Sequence, residues 1–161
     1  MRQLLLLFLL VAVSACGFQL RRELALPPAL STLRLELVDP YAPLGRGLEQ
    51  ALQRAGATLV ESGEAAVLRV PTLRRSQVPL AVGVTGRVQE FAQQYRVEIE
   101  LLDAGGRVVV PRQAIELERS YAFDTAEALG TPAEQELVQA ELDRDMVAAI
   151  LRRIDAALRT P

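Results

Sequence analysis

The chain has 161 residues, half of them apolar, with 18 cationic and 20 acidic side chains and no histidine. Every cation is arginine, which excludes Ser-His-Asp and Cys-His nucleophiles, histidine metal sites, Ser-Lys dyads and Schiff bases. A net charge of −2 is also far from the strongly basic balance of a nucleic-acid binder.

Chain order begins with Met1-Arg2, a minimal positive start, followed by an apolar run from Leu4 to Val13. A bilayer-spanning helix needs about 20 apolar residues, so this run is too short to span and reads as an export signal. Val13-Ser14-Ala15-Cys16 then resembles the lipobox of bacterial lipoproteins, and Cys16 is the single cysteine of the chain. The expectation is cleavage before Cys16 and lipidation of its thiol, which anchors the protein to a membrane through several acyl chains. Once Cys16 is acylated no disulfide can form. Residue 17 is glycine where enterobacterial lipoproteins retained at the inner membrane carry aspartate, so the outer membrane is the expected destination. The expected divisions are a signal peptide over 1–15, a lipidated N-terminus and tether over 16–30, and one domain over 31–161. Pro27-Pro28 stiffens the tether.

In the domain, Leu33, Leu35 and Leu37 alternate with Arg34 and Glu36, predicting a half-buried strand that Asp39-Pro40 ends. Leu44, Leu48, Ala51, Leu52 and Ala55 fall on one face of a helix, with Gly56 as the residue that closes it. A second extended stretch covers Ala66 to about Ser76, where Pro71 suggests an edge or a bulge. Tyr95, Val97, Ile99 and Leu101 alternate with Arg96, Glu98 and Glu100 in a third strand, which Asp103-Ala104-Gly105-Gly106 turns into Val108-Val109-Val110. After Pro111 the fourth strand resumes, with Ile115, Leu117 and Arg119 facing away from Glu116 and Glu118. If the last two strands reach from the 80s to Phe123, each approaches 15 residues, roughly 50 Å of sheet. Thr131-Pro132-Ala133-Glu134 is a capping-box pattern that opens a long helix. Its apolar stripe is Val138, Leu142, Met146, Ala149, Ile150, Ile154 and Leu158. The predicted fold is α+β, a two-layer sandwich of two helices on one elongated four-stranded sheet, in the order strand–helix–three strands–helix. The first strand–helix–strand step is compatible with a parallel pair.

Catalysis has little to build on. Only carboxylate-pair chemistry survives the composition, and the acidic residues sit at alternating strand positions or on polar helix sides. Gly45-Arg46-Gly47 lacks the rest of any nucleotide fingerprint. The expectation is a protein that is not an enzyme and takes neither cofactor nor metal, with a lipid-anchored carboxylate hydrolase as the catalytic alternative.

Along nearly the whole mature chain the residues resemble the LPS-assembly lipoprotein family LptE. The resemblance is carried by Cys16-Gly17-Phe18-Gln19-Leu20-Arg21 with the Leu-Pro segment after it, and by Gln94-Tyr95-Arg96-Val97 running into the Asp103–Gly106 turn. Arg119-Ser120-Tyr121, an acidic loop, Glu134-Gln135-Glu136-Leu137, Asp145-Met146 and Ile150-Leu151-Arg152-Arg153 complete it. It implies an outer-membrane lipoprotein at the periplasmic side that plugs and helps to assemble the LptD β-barrel, and that binds lipopolysaccharide on its way to the outer leaflet. The implied partners are an LptD-like barrel, lipopolysaccharide and, through the lipid anchor, the membrane, with no nucleic acid. Arg74, Arg75 and Arg87 flank the loop between the second and third extended stretches. Arginine matches phosphate bidentately, so these three are the candidate lipopolysaccharide-binding group. A structural lipoprotein of another envelope assembly or lipid-transport complex would share the anchor and the domain, and is the alternative.

Overall fold

The computed structural model describes residues 26–82, 88–122 and 131–159. A 3-10 turn, Pro28–Leu30, leads into β1 (Thr32–Leu37), α1 (Pro43–Arg54) and β2 (Thr58–Leu59). Three long strands follow, β3 (Ala66–Val82), β4 (Val88–Leu102) and β5 (Val108–Ala122), and α2 (Thr131–Arg159) closes the order. The sheet runs β2-β1-β3-β4-β5, so it has five strands where four are predicted. The extra strand is only Thr58–Leu59, parallel to β1 and held by Thr58 N–H on Ser31 O and Val60 N–H on Leu33 O. Two residues carry no period, which is why alternation misses it.

β1 also pairs in parallel with β3, from Leu33 opposite Ala66 to Leu37 opposite Val70. The β3–β4–β5 part is antiparallel throughout. Its strands are 17, 15 and 15 residues long, against a usual five or six, and the expected elongation is present. β3 continues past Ser76 to Val82, because Pro79 lies on a strand whose outer side is unpaired and no ladder bond is lost there. All three strand prolines lie at register shifts. The β3–β4 pairing slips between Arg69 and Thr72, around Pro71, and again between Pro79 and Ala81, while the β4–β5 pairing slips opposite Pro111.

The turns follow their residues. Gly56 stands just past α1 with φ +91°, and Gly106 takes φ +80° in the hairpin where its N–H bonds Asp103 O at 2.9 Å. Both helices lie on one face of the sheet. Leu44, Leu48 and Leu52 from α1, and Leu142, Met146, Ile150 and Ile154 from α2, meet Leu33, Leu68, Val70, Val97, Ile99 and Leu101 in one buried core. α1 approaches α2 closely because Gly47 has no side chain; a Cβ there would stand 2.8 Å from Val147 Cγ2. Leu30 is 2 % exposed, so the segment over Pro28–Leu30, placed in the tether by the sequence, folds onto this core. The Thr131–Glu134 capping side chains lie outside the described side chains.

Candidate functional site

Beyond Pro71 the sheet leaves β1 behind and runs on as three strands, and its two faces carry different chemistry. On the helix face the apolar sequence Leu68, Val70, Leu73 gives way to Arg75 and Gln77 on β3. Arg75 stacks over the Tyr95 ring at 4.3 Å and pairs with Asp143 of α2. On the far side of β4, Arg119 of β5 reaches Asp145 of α2 at 2.7 Å. Residues two apart on a helix lie about 200° around its axis, so Asp143 and Asp145 sit on opposite flanks. The two arginines therefore straddle α2 and hold it over β4. Beneath them Tyr95 is 1 % exposed and its hydroxyl has no hydrogen-bond partner. Burial pushes this phenol up to about 12, against the opposing pull of the Arg75 charge. Further out, Gln77 Nε2 donates to Tyr121 Oη at 2.7 Å, and the Tyr121 and Phe91 rings stack with centroids 6.0 Å apart.

The opposite face is open and is tied together by ion pairs. Glu36 is shared by Arg34 at 3.1 Å and Arg69 at 2.9 Å, and the Arg69 hydrogen bond leads in holding its carboxyl below the ordinary value. Glu98 accepts from Arg112 at 2.6 Å, from Thr72 Oγ1 at 3.1 Å and from Arg96 at 3.4 Å. Its carboxyl is likewise lowered, chiefly by Arg112. Arg96 also pairs with Glu116, and Gln94 bridges Ser76 and Glu118. Among the described strands every arginine thus holds a carboxylate except Arg74. Arg74 lies in register with Arg96, a like charge, and it forms no ion pair with a described carboxylate.

These positions divide the predicted group. Arg74 and Arg75 are neighbours on one strand, so their side chains leave on opposite faces, and Arg75 is already engaged by Asp143. Arg87 and Cys16 lie outside the described residues. The residues missed in the sequence are Tyr95 and Asp143 as partners of Arg75. Asp143 is 68 positions away, and only the packing of α2 brings it there. No group of three or more His, Cys, Asp or Glu able to hold a metal occurs among the described residues, and no described helix is long and apolar enough to cross a membrane.

A family model described as LptE, lipopolysaccharide-assembly, matches residues 30–154. The LPS-assembly lipoprotein LptE of Yersinia enterocolitica is 32 % identical over 154 residues, covering 93 % of this chain and 73 % of that protein. That of Photorhabdus laumondii is 30 % identical over 153 residues, covering 93 % of this chain and 83 % of its own. Among solved structures, a lipoprotein B from Nitrosomonas europaea superposes with a TM-score of 0.73 at 30 % identity, covering 89 % of this chain and 94 % of that one. The sequence match takes in both helices and all five strands up to Ile154, and the fold match is equally broad. This chain belongs to the LptE family of lipopolysaccharide-assembly lipoproteins.

Proposed function

We propose that the protein is a non-enzymatic lipoprotein, anchored by Cys16 at the periplasmic side of the outer membrane, that plugs and helps to assemble an LptD-like β-barrel in lipopolysaccharide transport. The observation that carries this reading is the match of residues 30–154 to the lipopolysaccharide-assembly family. The geometry supports it. Strands of 15–17 residues extend roughly 50 Å, a length suited to a tubular lumen. The open face of the sheet is polar, with nearly all of its charges balanced internally, so it can sit against the polar inner wall of a barrel without leaving charges stranded.

Contact with lipopolysaccharide belongs to the same proposal, through the Arg74, Arg75 and Arg87 segment. Of the two described members, Arg74 can meet an anion without first giving up a carboxylate, whereas Arg75 would have to release Asp143. Co-expression of the lipidated chain with an LptD-like barrel, followed by detergent extraction and purification on a tag carried by the lipoprotein, tests the partner. A stoichiometric complex is expected, and Cys16→Ala should move the lipoprotein from the membrane to the soluble fraction. Recovery of the lipoprotein without any barrel would point instead to another envelope assembly. Alanine at all three arginines should weaken lipopolysaccharide binding; unchanged binding removes that element of the proposal.

A further inference from the structure

The outer edge of β3 is paired for only part of its length. β1 covers it from Ala66 to Val70, and the last bond on that side is Val38 N–H to Val70 O at 3.0 Å. From Pro71 to Val82 no described strand lies on this side, and no other backbone hydrogen bond of the described residues reaches it. An open row of N–H and C=O groups is a template for another strand. Pro71 and Pro79 lack N–H groups, so they bracket a window, Thr72–Val78, in which alternate residues bond β4 and the others turn intact N–H and C=O groups to the open side.

Two further observations fall on the same edge. Six large apolar residues are exposed in the described part of the chain, and four of them flank this strip. Val38 and Tyr41, the latter 89 % exposed, follow the end of β1, while Val78 closes the window and Leu80 lies just beyond it. The third observation is charge. Arg74, the strand arginine without a carboxylate, lies inside the window, while the arginines around it are neutralised. A lipid phosphate would satisfy Arg74 alone. An extended polypeptide carrying a carboxylate would satisfy the arginine, the open main-chain groups and the apolar flanks together.

We infer that the Thr72–Val78 edge of β3 is a docking site for an extended, acidic segment of the barrel partner, which adds to the sheet as a strand in the line that β1 vacates. This rests on the proposed barrel partnership. Arg74 and Val78 share the open face four residues apart, so the partner strand places an Asp or Glu and an aliphatic residue four positions apart on one face. Main-chain pairing supplies the register, and the Arg74 carboxylate contact selects the segment.

The test uses the full lipidated chain co-expressed with the barrel. Arg74→Glu should lower the co-purified barrel at least tenfold and Arg74→Lys should retain most of it. A photo-crosslinking residue at Ser76 or Leu80 should label a barrel segment containing the acid and the aliphatic at that spacing, whereas one at Glu116 should not. If the wild-type chain brings down no barrel, the partnership itself is wrong and the docking site falls with it. If the wild type brings down the barrel while Arg74→Glu does so equally well and Ser76 and Leu80 label nothing in it, the edge is not the site and the partnership stands. Labelling of a second copy of this chain, or of its own N-terminal segment, overturns the inference. So does an unchanged barrel yield in an Arg74→Glu chain that has lost lipopolysaccharide binding, which would leave Arg74 with the phosphate contact of the proposed function and no part in docking the barrel.

Discussion

Tyr95 lies 1 % exposed between the sheet and α2 with an unpartnered hydroxyl, and burial raises its pKa to about 12. The fold thus favours the neutral phenol over the phenolate. Since an unfolded tyrosine ionises near pH 10, the contribution is fully present below pH 10 and is lost as pH rises from about 10 to about 12. Ultraviolet titration should show one of the three tyrosines ionising only near pH 12. Tyr95→Phe should abolish that late phase, remove the alkaline loss of stability, and leave stability at neutral pH equal or higher by up to about 1 kcal/mol, because it deletes an unpaired buried hydroxyl without opening a cavity. The neighbouring ion pair behaves in the opposite sense. Asp143→Ala strands a guanidinium whose side chain is only 28 % exposed, and should cost about 1.5–3 kcal/mol in urea denaturation, with Asp143→Asn recovering part of it. None of this is legible from Arg74-Arg75 in the sequence. The predicted stretch to about Ser76 already contains both arginines, so the period of two separates them; what the chain order hides is that Arg75 meets Asp143, 68 positions away.

At the scale of elements, what a period could encode was readable. Tyr95, Val97, Ile99 and Leu101 are all buried as their alternation predicts, and the α2 stripe of Leu142, Met146, Ala149, Ile150 and Ile154 is the helix's contribution to the core. Pro71 announced the irregularity that the β3–β4 register contains. What escaped was pairing without period: β2, with two residues, and the distal part of β3, where Arg, Ser, Gln and Pro interrupt the apolar signal. Ile150 is fully buried, so Ile150→Ala should destabilise by about 2–5 kcal/mol. The junction of α1 and α2 depends on an absence of side chain. Gly47→Leu would drive atoms into Val147 and should cost about 1–3 kcal/mol in the same assay. The open face responds to acid. Glu36 and Glu98 have carboxyls held below the ordinary 4.5, so their contribution is present above pH 4.5 and is lost as pH falls through their lowered values.

Across the whole molecule the long strands join two regions of different composition. Near β1 the strands run between apolar residues from both helices, with Leu68, Val70, Val97, Ile99 and Leu101 each almost completely buried. Beyond Leu73 the helix face is held by the Arg75–Asp143 and Arg119–Asp145 pairs, the Gln77–Tyr121 hydrogen bond and one ring stack. Apolar burial at about 25 cal/mol per Å² dominates the first region, while polar contacts of about 1 kcal/mol each dominate the second. The two should open separately. In native-state hydrogen exchange, amides of 66–70 and 97–102 are expected to exchange only through global unfolding. Those of 76–82 and 90–94 should exchange through a smaller opening, at least about 1.4 kcal/mol less costly and so tenfold faster. Uniform protection along β4 would show instead that the sheet is one cooperative unit and that the polar contacts hold it as firmly as the core. The difference bears on docking, because a strand added along Thr72–Val78 would stabilise the weaker region and leave the apolar end unchanged. Exchange at 72–78 and at the paired positions of β4 should then slow on binding the barrel, while exchange at 97–102 stays at its unbound rate.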